Sequence, residues 1–245
     1  MRTLRWLAFA VGVLFLIGTA LRIVDMQNLW ATPPTQPAAN MVEGRLAAQD
    51  YRMAIWPIYM LTNLAFGVGF MALVGLGIAL ASGLGSGDSR RIAILTSFGV
   101  GGILGAVGQL MIIGAAQVTV EQAYCDCGFK DTEIVSQIWG QMLIEGSSQW
   151  LVNAAAILAA IGIIAADLAF RRRISAAWDI WSWLTVIGLI AAVVVGFFGL
   201  GGDDFGLYLL LFVTGILVPV WAIWLGARWR DQPDSDPGAG VEAAA

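Results

Sequence analysis

Cys125 and Cys127, the only two cysteines, stand one residue apart in AYCDCGFKDTE (123–133), beside Lys130, the only lysine. Thiols at that spacing admit four chemistries. They can close on each other, in a small ring that is strained and easily reduced. They can bond to a partner chain, offer two soft thiolates to a metal, or act as a local staple in an irregular loop. The chain contains no histidine to complete a metal set. That absence also removes imidazole general bases, Ser-His-Asp and Cys-His nucleophile pairs, His-ligated haem and His-containing zinc sites. The pair is thus a candidate disulfide or redox site. No catalytic residue, metal or cofactor is expected.

A second set of residues suits binding better than catalysis. Asn63, Gln109, Gln117, Gln149 and Asn153 are uncharged amides inside long apolar runs. Amides are costly in hydrocarbon, so they should turn inward and bond across helices or line a wet pathway. Gln149 and Asn153 are four apart, hence on one helix face, which Ala156 and Ala160 continue. As glue, each interhelical bond would add roughly 0.6–2 kcal/mol. As a site, the amides would form an outward-facing vestibule rimmed by Glu145, Trp56 and Tyr59.

What must position these groups is a set of membrane helices. Of 245 residues 59% are hydrophobic and 12% charged, about half the charged share of a soluble domain. Apolar runs recur at about 4–21, 55–80, 92–120, 149–170, 176–200 and 205–227. Each is close to or above the roughly 20 residues a helix needs to cross a bilayer. The expected fold is therefore all-α: one six-helix transmembrane domain over 1–230, built as three hairpins, with a disordered tail at 231–245.

Arginine sets the orientation. With the N-terminus in the cytoplasm, Arg2, Arg5, Arg90, Arg91, Arg171 to Arg173, Arg228 and Arg230 fall inside. Only Arg22, Arg45, Arg52 and Lys130 fall outside. Both termini are then cytoplasmic. Trp6, Trp178, Trp181, Trp221 and Trp224 flank inner ends, and Trp56 and Trp150 flank outer ends, as interfacial anchors do. A cleavable signal peptide is the alternative for the first run, with Arg2, Arg5 and Gly18-Thr19-Ala20 as its marks. The Cys-Asp-Cys stretch lies on the outer, oxidising side. Residues 131–145 place Ile134, Ile138 and Met142 on one helical face. A short amphipathic helix is expected there, divided from the fourth span by Gly146-Ser147-Ser148.

Packing should rest on small residues: Gly101 with Gly105 on the third span, and Gly67, Gly75 and Ala79 on the second. Pro219 should bend the last helix, because it leaves the carbonyl of Gly215 without its usual donor. Asp167 should pair with Arg171, four residues on. Asp179 should face the same interface. No charged residue stands at the middle of a span, which counts against ion-coupled transport.

The second half resembles a family of small bacterial polytopic membrane proteins, the domain of unknown function 4386. The resemblance rests on RRRISAAWDIWSWLTVIGLIAAVVVGFFG (171–199) and LLFVTGILVPVWAIWLGARW (210–229), and spans about 170–230. The acidic residue of that family's last helix is missing, and Pro219 stands in its neighbourhood. The resemblance implies a helical membrane fold and no activity.

Three functions follow as expectations. The first is a non-enzymatic accessory or interaction protein of a bacterial inner membrane, acting through its outer loops on another membrane protein or subunit. The second is a passive channel or carrier for a small uncharged or amphiphilic solute. The third is an extracytoplasmic thiol-redox or metal-handling protein. The lipid bilayer is the common partner. Nucleic acid is not one, since a net charge of −4 offers no basic face.

Overall fold

A computed structural model describes residues 2–31, 41–124, 131–171, 174–198 and 202–229. The described residues are helical or in short turns, with no strand among them. The helices are α1 (Arg2–Met26), α2 (Met41–Ser82), α3 (Ser89–Tyr124), α4 (Asp131–Phe170), α5 (Ala176–Phe198), α6 (Gly202–Phe212) and α7 (Val218–Arg228). A π-helical turn, Val213–Leu217, joins α6 to α7. Six stretches are long and apolar enough to cross a membrane, the make-up of a multi-pass membrane protein. Cys125, Cys127, Lys130 and the tail at 231–245 lie outside the described residues.

Two helices run far beyond the expected spans. α2 begins fourteen residues before the run at 55–80, and α4 carries residues 131–145 and the fourth span as one helix. The amphipathic segment is therefore no separate element. Gly146-Ser147-Ser148 does not break α4, because its hydroxyls are satisfied within the helix. Ser147 Oγ donates to the Leu143 carbonyl at 2.7 Å and Ser148 Oγ to that of Glu145 at 2.7 Å. Serines bonded back in this way need no partner outside the helix, and at most bend it slightly.

Neighbouring helices touch in chain order, and α1 closes the ring against α7. Glycine lets them approach, though not in the expected pairs. On α3, a Cβ at Gly101 would meet Leu158 Cβ of α4 at 2.9 Å. One at Gly105 would instead meet the Phe70 ring of α2 at 2.4 Å. The working pairs are Gly101 with Gly108 toward α4, and Gly102 with Gly105 toward α2. Gly67 and Gly75 divide likewise, the first facing Gln109 of α3 and the second Leu7 of α1. A third span squeezed between two helices needs two small faces, and four residues alone make one.

Pro219 is accommodated by the π turn. The Val218 N–H donates to Val213 O, five residues back, and the wider turn makes room ahead of a residue with no N–H. Carbonyls beside the turn then take donors from α5. Trp181 Nε1 donates to Leu217 O at 3.1 Å, and Thr185 Oγ1 reaches the same oxygen at 3.4 Å. The α1 side is fastened by Thr19 Oγ1 donating to Thr214 Oγ1 at 3.1 Å.

Two arginines cap helix ends on the side where the termini of α1 and α7 meet. Arg5 Nε donates to Gly226 O of α7 at 3.3 Å. Arg90 Nη1 donates to Leu168 O of α4 at 2.9 Å. Cationic donors there satisfy carbonyls left over at C-termini and meet the negative ends of the helix dipoles. This is the arginine-bearing end of the bundle.

Candidate functional site

A cavity of about 300 Å³ lies inside the ring of helices. One wall is the face of α4 that carries Gln149, Asn153, Ala156, Ala159 and Ile163, spaced as one helical stripe. The half of α5 away from the arginines, from Leu189 to Gly196, forms a second wall. Gly206, Leu210, Thr214, Val218 and Trp221 form a third. Phe15, Phe70 and Phe98 close the back, from α1, α2 and α3. The cavity is at the low end of the size of small-molecule sites.

Its two ends differ chemically. Away from the arginines stand the amides, with Gln149 Nε2 donating to Asn153 Oδ1 at 3.2 Å. That bond leaves Gln149 Oε1 to accept and Asn153 Nδ2 to donate, so the pair presents both functions and no charge. Gln149 is exposed and Asn153 half-buried, which marks this end as the mouth. Beside it, Trp150 and Phe197 meet edge to face with centroids 5.0 Å apart and tie α4 to α5.

Toward the arginine-bearing end the cavity stops at aromatic rings. Phe98 and Trp221 lie 6.1 Å apart, and Trp221 stacks on Trp178, also at 6.1 Å. Trp178, Trp221 and Phe98 are fully buried. Trp178 and Trp221 are thus core residues and not the interfacial anchors the pattern predicted, whereas Trp6 and Trp150 are largely exposed. Polar bonds hold the floor still. Trp221 Nε1 donates to Ser182 Oγ at 3.1 Å, and Ser182 Oγ to the Trp178 carbonyl at 2.9 Å. Gly77 and Gly162 clamp Phe98 from both sides, since a Cβ at either would meet its atoms at 2.6 or 2.7 Å.

Behind the floor lies Asp167, one turn beyond Ile163 on α4 and 1% exposed. Neither carboxylate oxygen has a hydrogen-bond partner among the described residues, so the expected bonded pair with Arg171 is not formed. Asp179 and Ser182 of α5 face it, as the sequence suggested for Asp179. One Asp179 oxygen is likewise buried without a partner.

The structure divides the predicted vestibule. Gln149 and Asn153 come together at the mouth, and Glu145 lies one turn further out on α4. Asn63 and Gln109 are buried between α2 and α3, away from the cavity. Asn63 Nδ2 donates to Tyr59 O of its own helix at 2.7 Å, and Gln109 Oε1 has no partner among the described residues. Where these bonds are described, the amides do not link helices. An adjacent backbone carbonyl or side chain on the same helix is reached without ordering a second helix. Gln117 is exposed on α3, and Trp56 and Tyr59 do not line the cavity. The residues that sequence reasoning missed are Thr214, Trp221 and the phenylalanines. No polar signal distinguishes them from ordinary apolar packing.

No family model, curated protein or solved structure matches the chain.

Proposed function

We propose that this is a non-enzymatic multi-pass membrane protein that binds a small uncharged or amphiphilic molecule, and that it works as a passive carrier or receptor. The single observation behind this reading is the cavity: apolar walls, an amide pair at one end and packed tryptophans at the other. The bias of arginine toward the opposite end supports placing the mouth on the outer face of a bacterial inner membrane. The ring of helices narrows to stacked tryptophans below the cavity, which favours binding and release at one face over an open channel. An interaction or redox role through Cys125 and Cys127 would rest on residues outside those described.

Cysteine reactivity tests the reading in lipid nanodiscs. In a background carrying Cys125→Ser and Cys127→Ser, Ala159→Cys should react with methyl methanethiosulfonate, a small uncharged thiol reagent. Ala159 lines the cavity, whereas Ala166, also on α4 and fully buried, does not. Ala166→Cys should stay unmodified in intact-mass spectra. A silent Ala159→Cys, or equal reaction at both positions, would mean that the cavity admits no solute.

A further inference from the structure

We infer that the occupant is a neutral single-chain amphiphile, its chain about ten methylenes long and its hydroxyl- or ester-bearing head on Gln149 and Asn153; this rests on the cavity being a binding site. Three observations point to that class. The first is polarity. No charged side chain among the described residues lines the cavity, and the amides stand together at its mouth. A molecule polar throughout would lose its hydrogen bonds along the walls, whereas one polar only at the head keeps them. A hydroxyl or ester meets both remaining functions of the pair, an accepting Gln149 Oε1 and a donating Asn153 Nδ2.

The second is size. A methylene occupies about 30 Å³, close to a water's share of the liquid, so 300 Å³ holds about ten. A sterol-sized or two-chain lipid would not fit without the helices moving apart, and a glycerol-sized polar solute would leave the lower half empty. The aromatic floor of Phe98 and Trp221, fixed by the Gly77–Gly162 clamp and the Ser182 bond, sets the depth.

The third is charge and access. No described lining residue carries a positive charge. An anionic head would give up its hydration with no described cation to replace it. Gly196 is exposed and has no atom within 4 Å of where a Cβ would stand. Leu210, also lining the cavity, is 40% exposed. Between α5 and α6 the wall is therefore in contact with lipid, and an amphiphile can enter from the leaflet without crossing water.

The same nanodisc assay decides the matter. The probes are 1-decanoylglycerol, with a neutral head, and decanoate, with the same chain and a charged head. 1-Decanoylglycerol should slow modification of the Ala159→Cys variant about tenfold more than decanoate, the order of one or two hydrogen bonds at the head. Adding Gln149→Leu and Asn153→Leu should abolish that preference, with each probe's protection expressed relative to that variant's own unprotected rate. Equal protection by both probes would overturn the neutral head. A preference that survives the double leucine change would overturn its placement on the amides. If 1-hexadecanoylglycerol protects several-fold better than the ten-carbon probe, the chain length is wrong. These failures differ from that of the underlying reading, in which Ala159→Cys does not react even without a probe.

Discussion

Adding one methyl group at either of two neighbouring glycines of α3 should move stability in opposite directions. At Gly102 a Cβ would stand 2.5 Å from Val74 Cγ2 and 2.6 Å from Phe70 O, inside any permitted contact. The valine methyl can rotate away, but the Phe70 oxygen belongs to the backbone of α2, so the helices must separate. Overpacking of this kind costs about 1–3 kcal/mol. The alanine recovers about 0.5–1 kcal/mol, because glycine is the worse helix former. Gly102→Ala should therefore lose a net of roughly 0–2.5 kcal/mol, and stand below Gly99→Ala by the 1–3 kcal/mol of the clash. At Gly99, three residues earlier, nothing lies within 4 Å of the new carbon. Gly99→Ala should gain the same 0.5–1 kcal/mol or so, with no clash to offset it. Reversible unfolding in mixed detergent micelles, followed by tryptophan fluorescence, gives both values. If Gly102→Ala is as stable as Gly99→Ala, the close approach of α2 and α3 is not what holds them.

Two further variants probe the arginine-bearing end. Asp167→Asn keeps the shape of a buried side chain whose carboxylate oxygens lack partners, and removes its opposition to Asp179. It should raise unfolding stability by at least about 1 kcal/mol; a lower melting temperature would mean that the carboxylate has a partner which the asparagine cannot replace. Asp88 precedes α3 and its Oδ1 accepts the Arg90 N–H at 2.9 Å, with the Arg90 guanidinium bonded to the same carboxylate. Those bonds hold the Asp88 carboxyl below the usual carboxylate range. The stabilisation is thus complete above the unfolded value of about 3.9 and disappears as pH falls through the lower folded value. The gap in melting temperature between wild type and Asp88→Ala should stay constant from pH 8 to 5 and close only below about 4. A gap already closed at pH 6 would exclude the carboxylate as its source.

How much of this was legible in the sequence depends on what kind of signal each feature leaves. Six membrane helices were, because a run of about 20 apolar residues has few other uses. The register of the packing was not. Gly101 and Gly105 look like one small-residue face, yet four residues apart on a helix squeezed from two sides they meet different partners. Spacing alone says which residues share a stripe, not how wide the stripe is or how many helices it faces. The site divides on the same principle. Gln149 and Asn153 were readable as a pair because they lie on one helix, where a separation of four fixes their geometry. Asn63 and Gln109 belong to different helices, so their relation to the cavity depended on the rotation of α2 and α3. That rotation is set by Gly67, Gly102 and Gly105, none of which announces a direction.

The floor of the cavity was hidden for a further reason. A tryptophan near the end of a membrane helix reads as an interfacial anchor, and Trp6, at 74% exposure, has the surface position that reading requires. Trp221 occupies a similar position along its helix and is fully buried. Its surroundings account for the difference: beside the π turn ahead of Pro219, Trp181 Nε1 and Thr185 Oγ1 both donate to the Leu217 carbonyl and hold α5 against α7. Once α5 is there, Ser182 supplies the acceptor that an indole N–H needs away from water. Three features that the sequence presents separately thus meet beside Pro219: a turn, a polar seam between helices, and the aromatic base on which any ligand would rest.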